Sequence, residues 1–348
     1  MTETSAFFTL SASNPSKEAD GKIYSRNPEA NELYIQGLDY LSKGKPWIGG
    51  SVENAKKALK LFRQAVQKDP QFALAYIGQA NALDACSFSV SGSMAPGDVY
   101  RQQEIAALKA VKLDDSLSEA HSMLGSVYFN NMYDWSKAEK EMKRVIELTP
   151  NVASAHIWYG LFLGAMARFE EAEAQVKLAQ SLDEKSAAPN RAMLQILYWQ
   201  HKDDAAAAQG MQALSKDKAL ATHFFLGLVY IHQGQFQKGI EEEKLATAGG
   251  DAGSLSALAY AYAMAGDKAE LESTLERFQQ HPGHDHVPYR LAAIYVALGD
   301  KDRAISLIEK DYQQHSNWSN HLKVDPVMDP LRETPRFKEL MRKMKFAR

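Results

Sequence analysis

The chain has 348 residues, 45% hydrophobic and 24% charged, which suffices for two or three ordinary domains or for one long repeat array. Its formal net charge is −3, and basic residues are scattered or alternate with acids, as along residues 139–144. No basic stripe is available for a phosphate backbone, so nucleic-acid binding is not expected. A single cysteine, Cys86, excludes an internal disulfide and a thiolate zinc site.

Residues 1–27 are polar and aperiodic, and the sequence predicts a flexible leader there. The first ten residues lack the basic start and the apolar core, roughly 7–15 residues long, of a signal peptide. No stretch reaches the roughly 18 apolar residues of a membrane span. A cytoplasmic location is therefore expected if Met1 is the native start. Asn27 and Pro28 then open the first helix as N-cap and first helical residue.

From that point a small residue followed three positions later by tyrosine recurs along the chain. Gly37/Tyr40, Gly125/Tyr128, Gly227/Tyr230, Ala259/Tyr262 and Ala292/Tyr295 fit, and Ala80/Leu83, Gly160/Leu163 and Gln195/Tyr198 complete the register. Successive spacings are 43, 45, 35, 35, 32, 32 and 33 residues. Each unit reads as two amphipathic helices, A and B. Residues 156–167 carry one A helix and residues 170–182 its B helix, with Ala172, Val176, Ala179 and Leu182 on one face. The same stripe returns as Ala58, Phe62, Ala65 and as Ala138, Met142, Val145, Leu148. Small residues in helix A allow helix B to approach its backbone, with the tyrosine filling the gap to the next unit. Gly234, Gly266 and Gly299 fall at the A-to-B turn, where a left-handed backbone is needed. Two units carry insertions between their helices, residues 44–52 and the Ser-rich 87–97, which read as surface loops.

This pattern resembles the tetratricopeptide repeat family over roughly residues 29–315. Leu226, Gly227, Tyr230, Gly234, Phe236 and Gly239 follow its motif closely. His156 and His223 depart from it, standing where the motif places its first aromatic residue, and Leu271 stands where its second helix usually has Ala. The resemblance implies an all-α, right-handed superhelix of about eight helical pairs over residues 28–316, with a C-terminal capping segment over 317–348. The lead-in at residues 27–34 and the Pro-punctuated tail are similar to the repeat regions of bacterial multidomain regulators linked to winged-helix, adenylate-cyclase or kinase domains. In the tail the sequence predicts a short helical turn, then a helix from Pro335 capped by Thr334. Leu331, Phe337, Leu340 and Met341 are expected to cover the last pair.

His281, His284 and His286 with Asp285 form the one local cluster with metal-ligand chemistry. It reads first as a polar linker, with a metal site as the weaker alternative. Asp114-Asp115 and Asp203-Asp204 fall at helix junctions, where carboxylates favour the N-terminus of the following helix. No zincin pair, phosphate-binding loop, dinucleotide fingerprint or nucleophile elbow is present, and neither enzymatic activity nor a cofactor is expected.

In the family the A helices line the concave face, which implies a partner-binding groove. By register it comprises Asn130, Ile157, Trp158, Leu161, Met193, Ile196, Trp199, Phe224, Leu228, Ile231, His232, Tyr260 and Tyr289. The Lys and Asn carboxylate clamp of chaperone-tail-binding members is absent, and the apolar, aromatic lining suits a helix or extended peptide. Two functions are therefore carried forward. The chain is a non-enzymatic scaffold binding a protein or peptide partner, or it is the regulatory half of a signalling protein working through intramolecular or self-association contacts.

Overall fold

A computed structural model of the chain describes residues 24–43, 51–87, 96–250, 252–281, 287–316 and 318–346. The described residues form eight helical pairs and one further helix, with no strand among them. The pairs are α1 (Pro28–Ser42) with α2 (Ser51–Lys68), α3 (Ala73–Ser87) with α4 (Pro96–Leu113), and α5 (Ser118–Val127) with α6 (Trp135–Leu148). Next come α7 (Ala153–Ala165) with α8 (Phe169–Leu182), α9 (Ala188–Trp199) with α10 (Asp203–Lys216), and α11 (Leu220–His232) with α12 (Phe236–Ala246). The last pairs are α13 (Ala252–Ala265) with α14 (Lys268–Gln280) and α15 (Pro288–Ala297) with α16 (Lys301–Gln313), followed by α17 (Pro335–Lys343). They fall into two compact units, one ending at Pro150 and one beginning at Asn151. Most of both insertions, residues 44–50 and 88–95, lies outside the described residues.

Close approach within a pair explains the small residues of helix A. A Cβ added at Gly160 would stand 2.8 Å from Val176 Cγ2 and 3.2 Å from the Ala172 carbonyl oxygen, so the two helices touch through the missing side chain. Several of the repeat tyrosines carry a cation over the ring. Lys137 lies over Tyr128, Lys238 over Tyr230 and Arg303 over Tyr295, at 4.9, 5.5 and 4.1 Å from the ring centroids. At the A-to-B turns Gly234, Gly266 and Gly299 adopt φ of 75°, 74° and 80°. Tyr133, Ala167 and His201 take the same left-handed position without glycine, at φ 52°, 63° and 58°.

The histidines that depart from the repeat motif bond across their pairs. The amide oxygen of Gln175 lies 2.7 Å from Nδ1 of His156, and the Glu242 carboxylate accepts from Nδ1 of His223 at 2.6 Å. His121 does the same with Glu141 at 2.6 Å in the first unit. A polar link from the start of helix A to the middle of helix B thus stands where the motif has an aromatic contact.

Asn27 caps α1 as expected, its side chain accepting from the Ala30 amide at 3.1 Å. Of the expected leader, residues 1–23 lie outside the described residues, whereas its last residues are held against the first pair. Tyr24 packs on Tyr34, the Asn31 side chain accepts from the Tyr24 amide, and the Ser25 hydroxyl donates to Asp69. Thr334 occupies the N-cap position of α17 but does not cap it, because its hydroxyl donates to the Leu331 carbonyl at 2.7 Å. Phe337 and Leu340 are buried and Arg336 pairs with Glu309, so α17 packs on α16.

In the second unit, consecutive A helices α7, α9, α11, α13 and α15 touch one another. They are apolar on nearly every side. Residues 155–165 of α7 and 252–262 of α13 are buried without interruption, whereas each B helix buries a single stripe. A helix buried all round needs a neighbour on its second face. For α9 and α15 that neighbour is the C-terminal segment.

Candidate protein-binding site

The segment from Trp318 to Leu331 folds onto A-helix residues of the second unit. It consists of two 3₁₀ turns, Ser319–His321 and Pro326–Leu331, and buries Trp318, Leu322, Val324, Met328 and Leu331. Asp325 caps the second turn by accepting from the Val327 amide at 3.0 Å. Arg332 pins the segment's own backbone, donating to the carbonyls of Lys323 and Asp325 and to the Asp329 carboxylate.

Three tail residues, His321, Asp325 and Trp318, attach this segment to the A helices. His321 stacks on Trp199 at 5.6 Å between centroids and meets Tyr289 edge-on at 5.4 Å. The Tyr289 hydroxyl donates to Asp325 Oδ2 at 2.7 Å, and His321 Nε2 lies 3.6 Å from the same oxygen. The Arg290 guanidinium is held between two aromatic faces, 4.2 Å from the Phe224 centroid and 4.1 Å from that of Trp318. A fourth attachment comes from a B helix. Asp311 of α16 accepts from the Ser319 hydroxyl at 2.6 Å and from the Tyr289 amide at 3.3 Å.

The electrostatics of the two carboxylates that hold the tail, Asp325 within it and Asp311 on α16, differ. Burial pushes Asp325 upward, but His321, the Tyr289 hydroxyl and the Val327 amide outweigh it and hold the carboxyl below its usual range. Burial raises Asp311 to about 6, despite bonds from Ser319 and Tyr289 and the nearby charge of Arg290. Tyr260 and Tyr289 are raised chiefly by burial and further by the charge of Asp325.

The residues expected to line a groove are thereby sorted. Trp199 and Tyr289 touch the tail directly, and Phe224 does so through Arg290. Tyr260 is buried within range of Asp325 and Asp329, while His232 is exposed beside His201. Ile157, Trp158, Leu161, Met193 and Leu228 are buried. Ile196 and Ile231 are fully buried. Ile196 lies against Gly164 of the preceding A helix, and Ile231 against Gly239 of its own B helix. Asn130 belongs to the first unit, buried in the π-helical turn Tyr128–Met132 and donating to the Ser126 hydroxyl. Of the histidine cluster, His281 Nε2 is 3.0 Å from the Gly250 carbonyl, and His284 and His286 lie outside the described residues. Repeat register had no means of finding His321, Asp325, Asp311 and Arg290, because three of them lie in the tail or on a B helix and Arg290 answers to Trp318.

No family model and no curated protein matches the chain. Solved structures do. The yeast protein Tom70 is similar with a TM-score of 0.58 at 17% identity, over 95% of this chain and 72% of that one. PilW, a type IV pilus biogenesis factor, is similar with a TM-score of 0.53 at 13% identity, over 72% of this chain and 99% of that one. Both are tetratricopeptide-repeat proteins. Eight helical pairs, the shared register of small residues and this likeness give one conclusion about architecture: the fold is the all-α solenoid of tetratricopeptide repeats.

Proposed function

We propose that the chain is a non-enzymatic scaffold that binds a protein or peptide partner on the A-helix face of its repeats. One observation carries this reading: the A helices of the second unit already receive an extended, 3₁₀-turned segment of their own chain. They hold it with the two means that serve peptide recognition, aromatic platforms and a desolvated carboxylate bonded by a tyrosine. Its likeness to Tom70 and PilW supports the scaffold architecture. Tagged full-length chain is expected to capture a partner from its host. The double variant Trp158→Ala, Trp199→Ala is expected to lose that partner while keeping its helical circular dichroism. Undiminished capture by a folded double variant overturns the proposal.

The docked tail also favours a second reading, in which the array is regulatory and works through intramolecular contacts. The resemblance to repeat regions of winged-helix-, cyclase- or kinase-linked regulators points the same way. If the tail competes with a partner, Asp325→Ala strengthens capture. If the tail only completes the fold, the same change leaves capture unaltered or weakens it.

A further inference from the structure

We propose that His201, His232 and Asp329 bind a divalent transition-metal ion, with Zn²⁺ the favoured occupant. One ligand atom from each of the three residues lies within 4.8 Å of the others. His201 Nε2 and Asp329 Oδ2 are 3.5 Å apart, and the two imidazole centroids are separated by 5.1 Å. Zinc–ligand bonds of about 2.0–2.2 Å in a tetrahedron place neighbouring ligand atoms roughly 3.3–3.6 Å apart. The His201–Asp329 separation is already that edge, and it is long for a hydrogen bond.

The surroundings of the three residues orient them for such a role. The Asp203 carboxylate, largely buried, accepts from His232 Nδ1 at 2.6 Å. This is the carboxylate–histidine arrangement that fixes a ring and leaves Nε2 for the ion. Arg332 donates to Asp329 Oδ1 at 2.6 Å, while Oδ2 is the oxygen turned to His201. His201 stands at the left-handed turn where three later pairs have glycine, so a bulky imidazole is held there at conformational cost. Both histidines are exposed, which leaves a fourth position open to water and gives the ion a path in. Two imidazoles and a carboxylate suit Zn²⁺ better than the hard cations, which prefer oxygen alone. The ligands come from the α9–α10 turn, the end of α11 and the tail's second 3₁₀ turn, so an ion held there ties the tail to two successive pairs.

Isothermal titration calorimetry of metal-stripped full-length chain with Zn²⁺ tests the assignment. One saturable site per chain is expected, and His201→Gly and Asp329→Asn are each expected to weaken it at least about tenfold. Glycine is the residue used at this turn in later pairs, and asparagine still accepts from Arg332, so both variants keep the fold, which circular dichroism checks. Asp203→Ala is expected to cost roughly 10–100-fold, as the loss of a ring-orienting partner does. The triple change His281→Asn, His284→Asn, His286→Asn is expected to leave the site intact. The proposal is overturned if the native chain shows no saturable binding. It is equally overturned if the His201 and Asp329 variants bind as tightly as the native chain, or if the triple variant alone abolishes the site.

Discussion

Gly160 and Glu243 show how much a single side chain decides in this architecture. At Gly160 even a methyl group meets Val176 and a backbone carbonyl, so Gly160→Ala is expected to destabilise the second unit by about 1–3 kcal/mol in urea unfolding. Its gain in helix propensity does not offset the overlap. Glu243 occupies the same stripe of its B helix as Val176 does in α8, and it is fully buried, with neither carboxylate oxygen hydrogen-bonded among the described residues. Burial drives its carboxyl well above the ordinary 4.5, the nearby Arg290 opposing and Glu242 adding to the shift. The folded chain therefore keeps a proton that the unfolded chain releases, and stability falls as pH rises above about 4.5. Glu243→Gln is expected to be more stable than the native chain at pH 8, with the advantage shrinking toward pH 5. Thermal melts at the two pH values read this directly, and an equal difference at both would contradict it.

Between elements, the recurring histidine link is the feature that departs most from the repeat pattern. His121 is flanked by acceptors at both ring nitrogens, Glu141 at 2.6 Å and the Asp115 carbonyl at 3.1 Å, which only the doubly protonated ring can satisfy. The bond to Glu141 is the chief cause of its raised pKa, and burial acts against it. A raised histidine pKa gives stability that is complete below about 6.5 and is lost as pH climbs through the folded value. His121→Ala should therefore cost more at pH 6, roughly 1.5–3 kcal/mol for a charge-assisted bond, than at pH 9. Chemical unfolding of both proteins at each pH tests it, and a pH-independent difference would refute the assignment. The helices themselves were legible from the sequence, because Gly125, Gly160 and Gly227 recur in register with a stripe on the following helix. The link was not, since Glu141, Gln175 and Glu242 are ordinary polar residues until a pair brings them opposite a histidine. Left-handed turns were legible at Gly234, Gly266 and Gly299, and hidden at Tyr133, Ala167 and His201, where side-chain identity does not announce the backbone.

For the whole molecule, the docking of the tail is the event that most affects what the A-helix face can do. The two buried carboxylates that hold it, Asp325 of the tail and Asp311 of α16, respond to pH in opposite senses. Asp325 has a depressed pKa, so its contribution is present above about 3.8 and is lost on acidification through the folded value. Asp311 is raised from 3.8 to about 6, so its contribution declines as pH rises across that interval, by roughly 3 kcal/mol in total. Hydrogen exchange in residues 318–331 is thus expected to be slowest near pH 4 and to quicken toward pH 6 and above, after correction for the intrinsic pH dependence of exchange. Asp311→Asn should extend that protection to neutral pH, and a protection profile indifferent to this change would argue against Asp311 as its source. The repeat architecture, the pairing of helices and the apolar character of the A helices follow from the sequence alone, because periodicity and residue size are local properties of the chain. Which apolar residues are core and which meet the tail, and that His201, His232 and Asp329 converge from positions up to 128 residues apart, was decided only by tertiary structure. Such contacts depend on where a non-repeating segment comes to rest, and no internal period encodes that.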